Sequence, residues 1–288
     1  MSTTEFSIGE LAGTLEVSRS GYYAWRKAQD QPGPRSRQNA ILLMHIRCVH
    51  QEHQERYGSP RIFEALRQRG LRCGRNRVAR LMRIEGLRAK GKRPFRPRTT
   101  QPGAKAAPNL LANAPAPNAP HQIWVADITY IRTQEGWLYL AAVMDLYSRR
   151  IVGWHAADHL RSCLAEQALK QALCLRRPAA GLLHHSDRGF QYASEAYQAL
   201  LRSCLATRSM SRKGDCYDNA AMEAFWSSLK TELLDEQLAS RKKMISALFQ
   251  YIEIYYNRHR LHSSLGYQSP ADFEHKAVKS SGRRSKIS

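Results

Sequence analysis

The sequence lacks the cysteine spacing that marks a structural zinc site or a disulfide framework. Its six cysteines are dispersed, and no two of them form a Cys-x-x-Cys pair. Reduced thiols in the cytoplasm fit such a pattern best. Long hydrophobic runs are also missing, since no apolar stretch approaches the roughly 20 residues that span a bilayer, and the first residues do not read as a signal peptide. We therefore expect a cytoplasmic protein that does not enter the membrane.

Acidic residues are scarce as well. The 288 residues include 45 Lys and Arg but 24 Asp and Glu, which gives a formal net charge of +21. Residues 1–119 carry 22 basic and 8 acidic side chains, whereas residues 120–288 carry 23 and 16. A positive field concentrated in one segment favours a polyanionic partner, for which DNA is the usual candidate. The length allows two domains, and a hydrophobic content of 43% is sufficient for a buried core.

Residues 1–33 are predicted to form a small helix-turn-helix-like segment. Apolar residues recur at helical spacing from Ile8 to Leu15, and Ser18 is a plausible N-cap for a second helix from Arg19 to Lys27. A second helix in this position is typical of DNA contact. The same pattern is equally typical of an ordinary helical hairpin that packs on its neighbours.

Residues 34–87 are predicted to form a helix-turn-helix DNA-binding module. A helix over 37–54 contains histidines without a partner at metal-ligand spacing, so we interpret them as solvated or core residues. The next helix has Ser59 as its expected N-cap and Pro60 in its first position. A third helix over 75–85 ends at Gly86. The basic face of this helix consists of Arg75, Arg77, Arg80 and Arg83. This face either contacts phosphates or is only solvated.

Residues 88–118 are predicted to be a basic linker rich in Pro and Ala. Seven basic residues occur between 88 and 105, and seven of the 12 prolines lie between 94 and 120. The segment has no apolar periodicity. It is interpreted as an extended connection that follows a phosphate backbone or acts as a flexible tether.

Residues 119–275 are predicted to form a mixed α/β domain, followed by a basic tail over 276–288. Three consecutive apolar segments indicate an antiparallel meander, and the later alternation of helices with a short strand indicates helices packed on a sheet. The expected strands are 123–131, 137–145, 150–154 and 181–184, and the expected helices are 160–176, 194–206, 215–235 and 241–258.

Three acids in this domain are candidates for a shared site. Asp127 lies within an apolar strand, where its desolvation requires a paired Arg or Lys or a metal ion. Asp187 follows an apolar run at the carboxyl end of a strand, where α/β sheets place ligands, although a simple turn has the same signature. Glu223 shares a polar helical stripe with Asn219 and Lys230, and a solvated helix residue is the alternative interpretation.

Phosphoryl transfer uses acids of this kind. Carboxylate oxygens are hard ligands that hold Mg²⁺ or Mn²⁺, and two such ions about 4 Å apart clamp the attacking and leaving oxygens. Catalysis then consists of positioning and charge neutralisation. We therefore predict Asp127, Asp187 and Glu223 as metal-binding and catalytic residues, with Lys230 contacting a DNA phosphate.

The residues around these acids resemble those of the DDE transposases of bacterial insertion sequences, which are related to retroviral integrases. The narrower similarity is to the integrase-core subunit encoded by the second reading frame of two-frame elements. The 35 residues between Asp187 and Glu223 match the spacing in that family. The segments that carry the likeness are 124–130, 145–149, 185–192, 218–230 and 256–270, together with the helical segment 56–90.

The resemblance implies a ribonuclease-H-like catalytic core over about 119–275, preceded by an all-α helix-turn-helix region. It implies two ions of Mg²⁺ or Mn²⁺ held by Asp127, Asp187 and Glu223, with Lys230 at the basic position seven residues after the glutamate. Asp145 is interpreted as a turn residue, and His185 as a neighbour of the metals that does not ligate them.

The implied activity is metal-dependent strand cleavage and strand transfer at the ends of an insertion sequence. A water molecule or a 3′-hydroxyl end would attack the phosphodiester in line, without a covalent protein–DNA bond. The implied partners are the terminal inverted repeats, target DNA, further copies of the chain on that DNA, and the product of an upstream reading frame. Two other functions fit the same residues: a DNA-binding regulator with an inactive core, and a metal-dependent nuclease that does not join strands.

Overall fold

The computed structural model describes residues 6–31, 33–91, 107–212, 219–233 and 239–284. The chain divides into two units, Met1–Lys90 and Gly91–Ser288, so that the division falls within the basic segment predicted as a linker. In the part of the chain covered by these ranges, no helix is both long and apolar enough to cross a membrane.

The described residues of the first unit form five helices, and one of the two predicted N-caps, Ser18, is confirmed. Ser7 and Glu10 form a capping box at the start of α1, and Ser18 caps α2 as predicted. The prediction for α4 is wrong by one residue, because Gly58 is its N-cap and no side chain caps that end. The helices are α1 (Ile8–Thr14), α2 (Arg19–Asp30), α3 (Pro34–Glu52), α4 (Ser59–Gln68) and α5 (Arg75–Ile84).

Helices α3, α4 and α5 pack around one apolar core. Ile46, Ile62 and Val78 are fully buried, one from each helix. His50 is also buried and its Nε2 lies 3.1 Å from the Arg88 carbonyl oxygen, so this histidine serves the fold. Of the basic residues on α5, Arg75, Arg80 and Arg83 are exposed, whereas Arg77 is partly buried.

The second unit is a five-stranded mixed sheet flanked by helices, which confirms the α/β, ribonuclease-H-like expectation. The sheet order is β3-β2-β1-β4-β5, with β1, β2 and β3 antiparallel and with β4 and β5 parallel to β1. The strands are β1 (Ile123–Thr133), β2 (Gly136–Asp145), β3 (Ile151–Ala157), β4 (Leu183–Ser186) and β5 (Thr207–Met210). The helices are α6 (Ser162–Arg176), α7 (Phe190–Ala193), α8 (Glu195–Ser203), α9 (Ala220–Glu232), α10 (Arg241–Phe249) and α11 (Pro270–Arg284).

Each face of the sheet has its own apolar core. Because side chains alternate along a strand, Trp124 and Ala126 of β1 pack with α6 and α8, whereas Val125 packs with α9 and α10. A π-helical segment, Gln250–Tyr256, continues α10 on that second face. The helix predicted over 241–258 is therefore two segments of different geometry.

Three of the strands and α-helices described in this unit were not predicted, of which one is the short helix α7. β5 adds a strand at the sheet edge, and α11 occupies a region interpreted partly as a tail. Glu274 of α11 is buried and accepts hydrogen bonds from Ser148, Arg150 and Arg176. These partners are about 100 residues or more away in sequence, so local periodicity could not reveal the docking.

The C-terminal part of the predicted linker contacts the edge strand. The Pro108 carbonyl oxygen accepts a hydrogen bond from the Met210 N–H at 3.3 Å. The Ser209 hydroxyl oxygen accepts from the N–H groups of Leu110 and Leu111, at 2.9 and 3.2 Å. Buried Ala107 joins the core on the α6 face. Residues from 107 onward are thus attached to the sheet, whereas residues 92–106 lie outside the described part of the chain.

Gly153 allows β3 and α6 to approach closely, and replacing it should separate them. A Cβ at this position would lie 2.2 Å from the Ala168 carbonyl oxygen and 2.7 Å from the Ala172 nitrogen, both backbone atoms. We predict that Gly153→Ala destabilises the folded chain by about 2–3 kcal/mol or more, measured by chemical denaturation. Gly13→Ala is the matched control, since no atom lies within 4 Å of its added methyl. Equal stability of the two variants would contradict this packing.

Candidate active site

The parallel pairing of β1 with β4 places Asp127 beside Asp187. Ala126 pairs with Ser186, so the next residue on each chain is an aspartate at the same level of the sheet. Neighbouring strands are about 4.8 Å apart. Asp127 lies within β1 and its side chain is on the face that carries Val125, whereas Asp187 is the first residue after β4 and its charge acts on Asp127. The structure therefore brings these two predicted residues together.

Asp127 is partly buried and receives two hydrogen bonds from neutral donors. Its Oδ1 accepts from the Ile128 N–H at 2.8 Å, and its Oδ2 accepts from the Trp226 indole Nε1–H at 2.9 Å. Burial raises the pKa of Asp127 to about 7, with further contributions from the charges of Asp187 and Glu223, while the two hydrogen bonds act in the opposite direction. The two hydrogen bonds therefore do not offset the cost of ionising this carboxyl group in its buried position near two other acids.

Asp187 lies directly after β4 and is held by the turn that follows. Its Oδ1 accepts a hydrogen bond from the Gly189 N–H at 2.8 Å. A Cβ on Gly189 would lie 2.9 Å from that oxygen, so glycine permits the close turn. Burial raises the pKa of Asp187, and this backbone hydrogen bond partly offsets the effect.

Glu223 lies in the first turn of α9 and is exposed. The opposite side of the helix is buried through Met222, Phe225 and Leu229, as the periodicity predicted. The charge of Glu223 raises the pKa of Asp127, so the two carboxylates are within electrostatic range. Across the described ranges, no three His, Cys, Asp or Glu side chains form a group able to hold a metal ion. Asp127 and Asp187 thus lie side by side, and Glu223 is close enough to act on Asp127 through its charge.

Lys230 lies two helical turns after Glu223 and is half-buried. Burial lowers the pKa of Lys230, and the charge of Asp127 acts in the opposite direction. This interaction places the ammonium group in the electrostatic field of the carboxylate pair.

Two other polar residues near the acids have structural partners. The His185 ring is buried between the hydroxyl oxygens of Ser209 and Ser211, at 2.8 and 3.0 Å. Asp145 is fully buried at the end of β2, where it accepts hydrogen bonds from the N–H groups of His121 and Tyr147. Asp145 therefore stabilises a turn, in agreement with its interpretation.

The contact between Trp226 and Asp127 was not predicted from the sequence. The indole lies on α9, three residues after Glu223, and is 7% exposed. A tryptophan in the apolar stripe of a helix indicates only a core residue. The one available signal was its position one turn from the predicted acid, on the same side of the helix.

The motif residues near the C-terminus hold the second face of the sheet. The Asn257 side chain donates to the Ile151 carbonyl oxygen and accepts from its N–H, each at 3.0 Å, so that it pairs with the edge strand β3. Arg260 forms a buried ion pair with Glu232 at the end of α9. Both residues therefore fix the helices that carry the site.

The predicted DNA-binding arginines of the first unit differ in their surroundings. Arg75, Arg80 and Arg83 are exposed on α5. Arg77 is partly buried, and its Nε donates to the Asn39 side-chain oxygen of α3 at 2.8 Å. Arg77 therefore contributes to the packing of α5 on α3.

Family models match most of the chain. An integrase core domain matches residues 117–216, a second integrase core domain model matches residues 206–270, and an HTH-like domain matches residues 36–95. The solved structures that resemble the chain include a simian T-cell lymphotropic virus intasome in complex with PP2A regulatory subunit B56 gamma. It is 18% identical, with a TM-score of 0.46 over 74% of this chain and 70% of that chain. The HTLV-2 integrase catalytic core domain in complex with magnesium is 18% identical, with a TM-score of 0.41 over 55% and 98%.

Relatives with higher identity come from bacterial insertion sequences. The insertion element IS600 uncharacterized 31 kDa protein of Shigella sonnei is 46% identical over 90% of this chain and 96% of its own length. The transposase InsF for insertion sequence IS3A of Escherichia coli is 41% identical over 94% and 95%. The transposase for insertion sequence element IS904 of Lactococcus lactis is 42% identical over 85% and 97%. The chain therefore belongs to the insertion-sequence transposases that carry an integrase core, the DDE transposases.

Proposed function

We propose that Asp127, Asp187 and Glu223 are the metal-binding catalytic residues with which this transposase cleaves and joins DNA strands. The observation that carries the proposal is the β1–β4 register, which sets two aspartates side by side at one level of the sheet. Burial raises the pKa of Asp127 to about 7, and repulsion by the charge of Asp187 acts in the same direction. A divalent cation between them would remove that repulsion.

The residues present fit a divalent cation. Two carboxylates supply the hard oxygen ligands that Mg²⁺ and Mn²⁺ prefer. The hydrogen bonds described above to Asp127 and Asp187 come from the neutral N–H groups of Ile128, Trp226 and Gly189. Tyr192, whose pKa is raised by burial and then by the charges of both aspartates, has a buried hydroxyl without a hydrogen-bond partner among the described residues. These neutral hydrogen-bond donors therefore leave the charge of the two carboxylates for a cation to neutralise.

The protein's part in the reaction is to orient the reacting groups and to neutralise the charge that develops on them. When bound, the metal supplies Lewis-acid activation of the attacking oxygen and stabilisation of the leaving oxygen. Asp127 of β1 and Asp187, directly after β4, would hold the metal, and Glu223 would join them from the first turn of α9. Lys230 contacts a phosphate of the bound strand. We propose two ions of Mg²⁺ or Mn²⁺, because the attacking oxygen and the leaving oxygen would each be held by one ion.

DNA is held mainly by the first unit in this proposal. Arg75, Arg80 and Arg83 contact phosphates or base edges from α5, and Arg77 orients that helix through Asn39. The DNA partners are the terminal inverted repeats and a target duplex. Several copies of the chain act together on the DNA ends, with the product of an upstream reading frame as a further partner.

Removing any one of the three acids should abolish both cleavage and joining. We predict that Asp127→Ala, Asp187→Ala or Glu223→Ala lowers each rate by about a hundredfold or more, because transition-state charge is no longer neutralised. The measurement is cleavage and joining of labelled terminal DNA with Mg²⁺. Glu195→Ala is the control, since that side chain is 83% exposed on α8.

Undiminished joining by one of the three alanine variants would show that the substituted acid is not part of the catalytic site. Cleavage without joining by the intact protein would indicate a nuclease, and specific DNA binding without nicking would indicate a regulator. The two alternative functions are therefore separated by the same assay.

Magnesium should stabilise the protein most at high pH. The pKa of Asp127 is raised from 3.8 to about 7, so its contribution to stability is fully present below pH 3.8 and is lost as the pH rises through 7. We predict that Mg²⁺ raises the melting temperature by a few degrees at pH 8 and by less at pH 6, where a proton competes for the carboxylate. Asp127→Asn should melt higher than the parent at pH 8 without metal and should lose the Mg²⁺ response. An equal Mg²⁺ response in the parent and in Asp127→Asn would contradict the site.

The exposed arginines of α5 should control DNA affinity. We predict that Arg80→Ala and Arg83→Ala each weaken binding of terminal DNA and reduce the slope of log affinity against log salt by about 1, because each removes one phosphate contact. Arg67→Ala on α4 is the control, since Arg67 is exposed and paired with Glu64. An unchanged salt slope in both α5 variants would show that this face is only solvated.

A further inference from the structure

The Asp127 carboxylate is held by a side chain that the proposed chemistry does not use. The Trp226 indole donates its N–H to Asp127 Oδ2 at 2.9 Å and is almost fully buried. Trp226 belongs to α9, the helix that carries Glu223. Because residues three apart are neighbours on a helix surface, the donor to the first acid and the third acid project from adjacent positions.

A second contact attaches α9 to the same point of β1. The Asn219 side-chain Nδ2 lies 3.5 Å from the Ala126 carbonyl oxygen, directly before Asp127 in the strand. Asn219 precedes Glu223 by four residues, and Trp226 follows it by three. Glu223 is therefore bracketed, one helical turn to either side, by residues that bind the strand at or beside the first aspartate.

We propose that Trp226 is a positioning residue for transposition, whose indole N–H orients Asp127 and fixes α9 on β1 so that Glu223 can join the aspartates on a divalent cation. This inference rests on the proposed function of the three acids. A donor to a metal-binding carboxylate leaves the other lone pairs of that group directed at the ion. Substitution of such a partner typically costs 10–100-fold in metal affinity or activity.

The chain contains a matched control for the loss of this hydrogen bond. On β3, the Trp154 indole Nε1–H donates to Glu253 Oε1, also at 2.9 Å. Both bonds join an indole to a carboxylate between the sheet and the helices on its second face. The Trp154 bond does not involve any of the three acids. Trp154→Phe and Trp226→Phe each remove one N–H donor and keep an aromatic ring.

The first measurement is activity of the full chain on labelled terminal DNA. We expect Trp226→Phe to raise the Mg²⁺ concentration for half-maximal cleavage about tenfold and to lower kcat about tenfold or more, with KM for DNA unchanged. Trp154→Phe should keep the parental Mg²⁺ requirement and kcat. If both variants keep the parental Mg²⁺ requirement, or both lose activity equally, Trp226 has no positioning role.

The second measurement does not depend on activity. In protein labelled with ¹⁵N at its indole nitrogens, the Trp226 N–H resonance is assigned by its absence from Trp226→Phe, or by its shift in Asp127→Asn. We expect Mg²⁺ to move this resonance in the parent protein and not in Asp187→Asn, while the Trp154 resonance stays in place. In one outcome, the Trp226 resonance stays in place on addition of Mg²⁺ while the melting temperature still rises. That result overturns the inference about Trp226 and leaves the proposed function intact. A parent protein without any Mg²⁺ response overturns the proposed function as well.

Discussion

Two like charges at one level of a parallel strand pair are the constraint on which the rest of this structure depends. The β1–β4 register places Asp127 beside Asp187, the residue that directly follows β4, and burial then makes each charge costly. Such an arrangement lowers the stability of the protein at neutral pH. In the proposed function, this concentrated negative charge serves to hold a divalent cation against a phosphate.

The surrounding elements hold these acids in place against their repulsion. On one face, α6 approaches β3 through Gly153, and on the other, α9 binds β1 through Trp226. The motif residues Asn257 and Arg260 act on that second face, through the backbone of β3 and through the buried end of α9. Residues that are distant from the acids thus determine where the acids lie.

Local sequence patterns predicted most of this architecture, and contacts between distant segments account for the remainder. The apolar runs of β1 and β2 and the buried stripe of α9 are properties of short windows, so they could be predicted from periodicity. The edge strand β5 and the docking of Glu274 on α11 depend on partners far along the chain. The hydrogen bond from Trp226 to Asp127 belongs to the same class, because its two residues are 99 positions apart.

The central claim is that Asp127 and Asp187 share a divalent cation and that Glu223 completes its ligands. A crystal structure of the full chain grown with Mn²⁺, examined by anomalous scattering at the manganese edge, tests it most directly. The claim predicts an anomalous peak between the two aspartate carboxylates, with the Glu223 side chain turned toward it. A peak elsewhere, or a manganese ion bound at the aspartates with Glu223 still directed to solvent, would contradict it.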